Sequence, residues 1–176
     1  MALPDIIIFD LCDTLADTRH RSHLIPPASI AHIASSWDRH SLACGNDAPI
    51  TPVIRLLMTL SEHHRIFILT SRGEVTRAET VAWLARHNIP YDRLIMRGPD
   101  EHREPAAVKI DWIKAIGPDH IFCAFDDNDN VVRAIRGMGI TCLQVADFRP
   151  PAYSPESEHI TAPALSTFKN SYVSLL

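Results

Sequence analysis

Short apolar runs alternate along the chain with longer stretches in which apolar residues recur every three or four positions. The runs are Ile6–Phe9 leading into Asp10, Ile66–Leu69 within 65–70, the shorter Leu94–Met96, Ile121–Phe125 leading into Asp126, and Thr141–Val145. Such uninterrupted runs suit strands covered on both faces. Between them the spacing predicts helices. Thr51 reads as an N-cap with Pro52 at the first helical position, and Val53, Leu56, Leu57 and Leu60 then follow at i, i+3, i+4, i+7. Ala78, Val81, Ala82 and Ala85 repeat that spacing, and Asn88 can stop the helix. Val108, Trp112 and Ile113 mark a third helix. Asp129 can cap a fourth that runs through Met138 to Gly139. Strands alternating with helices of this length predict an α/β fold with a doubly wound parallel sheet.

Two segments break the alternation. Residues 16–50 are too long for a simple crossover between the first strand and its helix. They contain a short predicted helix from about Ala28 to Ala34, followed by Trp37 and Asp38, and read as a small flap or cap inserted after strand 1. Residues 149–176 carry Pro150, Pro151, Pro155 and Pro163 among many Ser and Thr. They read as a tail lying on the surface, or reaching a protein partner or a second copy of the chain. The expected organisation is one domain over 1–148 and a tail over 149–176.

Composition narrows the class. With 46% hydrophobic and 22% charged residues in 176, the chain has enough apolar material for one sizeable core and is not a disordered segment. The formal net charge of -4 argues against a general binder of nucleic acid or anionic membranes, so any phosphate contact must be local. No apolar run approaches the ~20 residues of a membrane span, and residues 1–5 offer no basic region of a signal peptide. Cys12, Cys44, Cys123 and Cys142 lack CxxC spacing and read as reduced thiols of a cytoplasmic protein. Lysines are scarce, being Lys109, Lys114 and Lys169.

In doubly wound sheets ligands bind beyond the carboxyl ends of the strands. Here those ends carry Asp10, then Thr70, Ser71 and Arg72, then Asp126 and Asp127. One such Asp is as readily a helix cap or a turn residue; three converging ends weaken that account. The residue types form a chemical set. A carboxylate can attack phosphorus as a covalent nucleophile. Because phosphate repels it, the site needs a hard cation such as Mg²⁺, held by carboxylates and substrate oxygens. Hydroxyl and backbone N–H groups can hold phosphoryl oxygens, and a lysine can offset the charge that builds up in transfer.

Asp10-Leu11-Cys12-Asp13-Thr14-Leu15, Thr70, Lys109 and Asp126-Asp127 together resemble the four motifs of the haloacid dehalogenase (HAD) superfamily, in order, over roughly residues 5–148. Within it, the stretches 66–74, 107–112, 125–128 and 139–146 are similar to the 3′-phosphatase domain of phage-type polynucleotide kinases and related small phosphatases. No kinase P-loop of the form GxxxxGK[ST] occurs. The resemblance implies a Rossmannoid three-layer fold and a Mg²⁺-dependent phosphomonoester hydrolase. The substrate it implies is a small phosphorylated molecule, a nucleotide or a nucleic-acid 3′ end. Asp10 would be the nucleophile that becomes an aspartyl-phosphate, Thr70 would hold a phosphoryl oxygen, and Lys109 would bridge phosphate and Asp10. Asp10, Asp127, the backbone carbonyl of Cys12 and the nearby Asp126 would serve the metal. Ser71 and Arg72 would contact substrate.

Position 12 departs from the family pattern D-x-D-x-T. The second Asp, which would protonate the leaving oxygen and then activate water, is Cys12. A thiol is a weak donor with an ordinary pKa of about 8.5 and a poor replacement in both steps. Three readings stand: a slowed phosphatase, a catalytically weak phosphate-binding or regulatory module, or a dehalogenase-type hydrolase, whose relatives also lack that Asp. Asp13 could assist, or could merely close its own turn. Arg19, His20, Arg21 and His23 are candidates for substrate selection from the flap, or for a metal pair, against the plainer account of a solvated loop. Trp37 and Trp112 read as packing residues. The acidic run Asp126–Asn130 lacks the Gly and terminal Glu of an EF-hand and is rejected as a calcium loop.

Overall fold

A computed structural model describes residues 4–145. The tail expected over 149–176 lies outside the described residues. Five strands, β1 (Ile6–Phe9), β4 (Arg65–Gly73), β5 (Arg93–Arg97), β6 (Ile121–Asp126) and β7 (Cys142–Gln144), form one parallel sheet in the order β5-β4-β1-β6-β7. The helices are α2 (Thr51–Leu60), α3 (Arg77–Arg86), α4 (Pro105–Ile116) and α5 (Asp129–Gly137). The expected α/β architecture with a parallel sheet between helices is what is found. No helix among the described residues is long and apolar enough to cross a membrane.

Alternation of side chains along a strand sorts the apolar runs into two cores. Ile7, Phe9, Ile66, Ile68 and Phe125 pack with Ile54 and Leu57 of α2 and Trp83 and Leu84 of α3. Phe9 and Phe125 stack at 4.5 Å between centroids. Ile6, Ile8, Phe67, Leu69 and Ala124 pack on the other face with Ile113 of α4 and Val131, Val132 and Ile135 of α5. This is why the runs are apolar at every position rather than every second one. Each fully buried aliphatic side chain contributes about 1.5–3 kcal/mol.

Several expected boundaries shift. Thr51 is the first residue of α2 rather than its cap; Ile50 precedes the helix and gives no side-chain cap bond. Asp129 likewise lies inside α5, and Asn128 is the cap, its side chain accepting from Asn130 N and Val131 N. Asn and Asp are equivalent in that role, so the sequence left the neighbours indistinguishable. Asn88 adopts a left-handed conformation (φ 58° for Asp13, 52° for Asn88) just past α3, and Gly139 does the same past α5 at φ 80°.

The inserted segment departs from the core through a short ribbon, β2 (Ala16–Asp17) paired antiparallel with β3 (Ala48–Pro49). Residues 28–33 form turns, not the helix expected over 28–34. The helical pieces come earlier and later: 3₁₀ turns at Arg19–Leu24, Ala34–Trp37 and Ala43–Asn46, and α1 (Asp38–Leu42). Ile25, Ile30, Ile33 and Leu42 of this segment are exposed, whereas Ala16, Cys44 and Ile50 are buried. A polar network described below adds to this anchoring.

Candidate active site

The alternation that builds the cores also aims the polar residues at the strand ends. Asp10 continues the Ile6–Ile8 face and Asp126 the Ala124 face, both toward α4, where Lys109 sits two turns from Gly117. Thr70 and Arg72 continue the Ile66–Ile68 face, toward α3 and the insert. The strand ends therefore carry two adjoining groups of opposite charge.

The first group is acidic. Lys109 Nζ donates to Asp10 Oδ1 and to Asp126 Oδ2, each at 2.6 Å, and all three residues are buried. Oxygens of Asp10, Asp126 and Asp127 all lie within 4.8 Å of one another. One ammonium thus faces three carboxylates. Burial, opposed by Lys109 and reinforced by Asp126 and Asp127, pushes Asp10 up to about 8. Burial and the charge of Asp126 push Asp127 up to about 6. Burial disfavours the charge of Lys109, but Asp10 and Asp126 outweigh it and hold its pKa above the ordinary value. Three hard oxygen donors with charge in excess of their one counter-cation fit a divalent ion such as Mg²⁺. Cys12 brings no side-chain atom to this cluster.

The second group is basic. Cys12 is half-buried, and its Sγ lies 3.3 Å from Nη2 of Arg72 and 3.7 Å from Nη2 of Arg21. Both guanidiniums are buried and both bind Asp47. Oδ2 accepts from Arg21 Nη2 and Arg72 Nη2 at 2.8 Å each, and Oδ1 accepts from Arg21 Nε at 2.7 Å. Arg21 Nη1 also donates to Nδ1 of His40 at 2.8 Å and to its carbonyl at 3.0 Å. Burial, aided by Arg21, lowers His40 to about 4, so its ring is neutral and can accept. Thr70 is fully buried, and its Oγ1 accepts from the backbone N–H of Arg72 at 3.2 Å, leaving its own proton to donate.

The remaining candidates separate. Asp13 (φ 58°) accepts from Thr18 N at 3.0 Å and Thr18 Oγ1 at 2.8 Å, so it closes its own turn. Arg19 pairs with Asp17, His20 bonds Asp47 at 2.9 Å, and His23 is exposed. Of the four flap residues, Arg21 and His20 thus meet at Asp47. Ser71 is half-buried in β4. Trp37 donates from Nε1 to Ala31 O at 2.8 Å, a packing role. Asp47 and His40 escaped sequence reasoning. Neither lies at the carboxyl end of a strand of the parallel sheet or in a recognisable spacing, and only the long insert around them drew notice.

The family described as the polynucleotide kinase PNKP phosphatase domain matches residues 4–148. Among solved structures, a chain of the Pnkp1/Rnl/Hen1 RNA repair complex is similar at TM-score 0.68 and 24% identity, over 81% of this chain and 42% of that one. A second structure of that complex gives 0.67 and 26%, over 82% and 47%. This chain therefore spans less than half the length of those relatives. CbbY from Rhodobacter sphaeroides in complex with phosphate is similar in fold at TM-score 0.58 and 16% identity, over 86% and 90% of the two chains. No curated protein matches.

Proposed function

We propose a reaction from one premise: the chain belongs to the family of polynucleotide kinase PNKP phosphatase domains, within the HAD hydrolases. On our reading it hydrolyses a phosphomonoester with Mg²⁺, through a phosphoryl group held transiently on Asp10. The substrate is a nucleotide or a nucleic-acid 3′-phosphate end. The observation that carries this is the buried Lys109 ammonium at 2.6 Å from both Asp10 and Asp126, with Asp127 in the same cluster.

Asp10 attacks phosphorus and the leaving oxygen departs, giving an aspartyl-phosphate that water then cleaves. Lys109 keeps Asp10 oriented and offsets charge on the transferring group. Thr70 Oγ1 donates to a phosphoryl oxygen, and Arg72 and Ser71 face the substrate. Asp10, Asp126, Asp127 and the carbonyl of Cys12 would hold Mg²⁺, which supplies Lewis-acid stabilisation of the phosphoryl oxygens. Cys12 slows both proton transfers. Because Asp13 is occupied by Thr18, no neighbouring carboxylate substitutes, and this favours as second reading a phosphate-binding protein of weak turnover.

Intact mass after mixing with a phosphomonoester and Mg²⁺ tests the chemistry. A phosphate adduct that disappears in Asp10→Asn supports it; turnover persisting in that variant overturns it. Raising salt during substrate competition separates the substrate classes. A steep loss of affinity points to a polynucleotide and a flat response to a mononucleotide.

A further inference from the structure

The two faces of the sheet are not covered alike at its β7 edge. On the side of α4 and α5, the row of paired residues Ile8, Ala124 and Cys142 is buried all the way to the edge strand. Val131, Val132 and Ile135 of α5 pack against it. On the side of α2 and α3 the matching row is Phe9, Phe125 and Leu143, and exposure climbs along it from 0% to 6% to 44%. Leu56 of α2 is exposed to the same 44%. Between these two leucines lies a groove of about 580 Å³, bordered by Val53 and Leu56 of α2 and by Leu143 and Val145 at β7. A parallel sheet is normally covered on both faces. Among the described residues, α2 is the only helix that borders this groove.

The course of the chain says what covers it. Val145 follows β7 directly and itself lines the groove, so the next residues begin there. They include Phe148, Pro150, Pro151 and Tyr153. Aromatic rings offer large apolar area, and proline has no N–H to leave unpaired against an apolar wall. An extended residue advances about 3.3–3.6 Å, so 146–153 can run the whole ~15 Å of a ten-residue helix such as α2. A segment joined by so short a link meets the groove at an effective concentration in the millimolar range, whereas a second copy arrives only at its own concentration.

We propose that the groove between α2 and β7 is a docking site for residues 146–153 of this same chain, with Phe148 and Tyr153 covering Leu56 and Leu143. The inference is independent of the reaction proposed above. It concerns a stretch that lies mostly beyond the family match, which ends at residue 148. Pro49 and Ile50, at the foot of the inserted segment, line the same groove. The docked stretch therefore also ties the ribbon that carries the insert to the edge of the sheet.

The test uses the full chain and has two arms. The first reads melting temperatures of wild type, Leu56→Gln, Leu143→Thr, the double variant Phe148→Ser/Tyr153→Ser, and Leu56→Gln added to that double variant. On an open surface, Leu56→Gln and Leu143→Thr would each move Tm by less than about 2 °C. Under a docked segment each should lower it by on the order of 5 °C, and Phe148→Ser/Tyr153→Ser should do the same. In the Phe148→Ser/Tyr153→Ser background, Leu56→Gln should add less than about 2 °C, because its partner has already been removed. The second arm does not depend on stability. Position 56 carries the photo-cross-linker p-benzoylphenylalanine, and position 81, exposed on α3, carries it as a control. Irradiation at position 56 should join it within one chain to residues 148–153, as read by peptide mass, and position 81 should give no such product. A neutral Leu56→Gln and Leu143→Thr overturns the proposal. So does a cross-link from position 56 that is absent, that joins two chains, or that forms equally from position 81; a product joining two chains would assign the groove to a second copy instead.

Discussion

Replacing Lys109 with Met keeps most of the aliphatic stem and removes one buried charge. What remains is three carboxylates whose oxygens lie within 4.8 Å of one another. At an effective dielectric of about 20, two unit charges at that distance repel by about 3.5 kcal/mol. Breaking a buried ion pair from one side costs about 3–5 kcal/mol in other proteins, which agrees. Lys109→Met should therefore lose about 3–5 kcal/mol of unfolding free energy near pH 8 in chelator, read by urea titration of tryptophan fluorescence. The sign of the pH dependence follows from linkage. Without Lys109, Asp10 and Asp127 rise further above their unfolded values, so the folded state takes up protons as pH falls. The deficit relative to wild type should shrink toward pH 5. Mg²⁺ should also restore stability, by about 2.7 kcal/mol at a hundred times its Kd, and by more in the variant than in wild type. A loss below about 1 kcal/mol near pH 8, or an equal loss at both pH values, would refute the account of Lys109 as the cation that makes this cluster tolerable.

Other outcomes follow from the same geometry. Cys12→Asp should raise phosphomonoester turnover by ~10²-fold or more if only the acid–base group is missing; a panel of phosphomonoesters showing no gain would sink the slowed-phosphatase reading. His40, held neutral with its pKa lowered to about 4, binds fewer protons folded than unfolded, so stability should fall as pH drops below about 6.5. Melting curves across that window should flatten in His40→Gln, and an unchanged slope would remove His40 from the account. Leu57→Ala, a fully buried side chain of α2, should cost about 2–5 kcal/mol in denaturant titration. A loss under about 1 kcal/mol would mean the α2 core is not packed as described.

The apolar runs and the spacing of the helices determined the α/β layering before any coordinate, because covering a parallel strand on both faces leaves no polar position inside it. The polar residues that end those runs, Asp10, Thr70, Asp126 and Asp127, were legible for the same reason: an abrupt change of character at a strand's carboxyl end is a local signal. Lys109 was readable through its rarity and its motif. Helix caps at Asn128 and Asn88 were legible to within a residue, since neighbouring Asn and Asp offer the backbone the same bond.

The arginine pair was only half visible. Arg72 follows Thr70 and could be found from the strand, whereas Asp47 and His40 sit in a segment with no periodicity, 25 and 32 residues from it. Their meeting depends on the β2–β3 ribbon folding the insert back over α3, where Trp83 receives Asp47. Cys12 makes the distinction plain. The sequence by itself determined that position 12 carries a thiol where the pattern it resembles has an Asp, because identity at a motif position is one-dimensional information. Only the tertiary structure decided that two buried guanidiniums converge on that thiol and that one carboxylate from the insert restrains them. Charge compensation inside a protein is settled by which groups come within a few ångströms, and nothing in residue spacing encodes that.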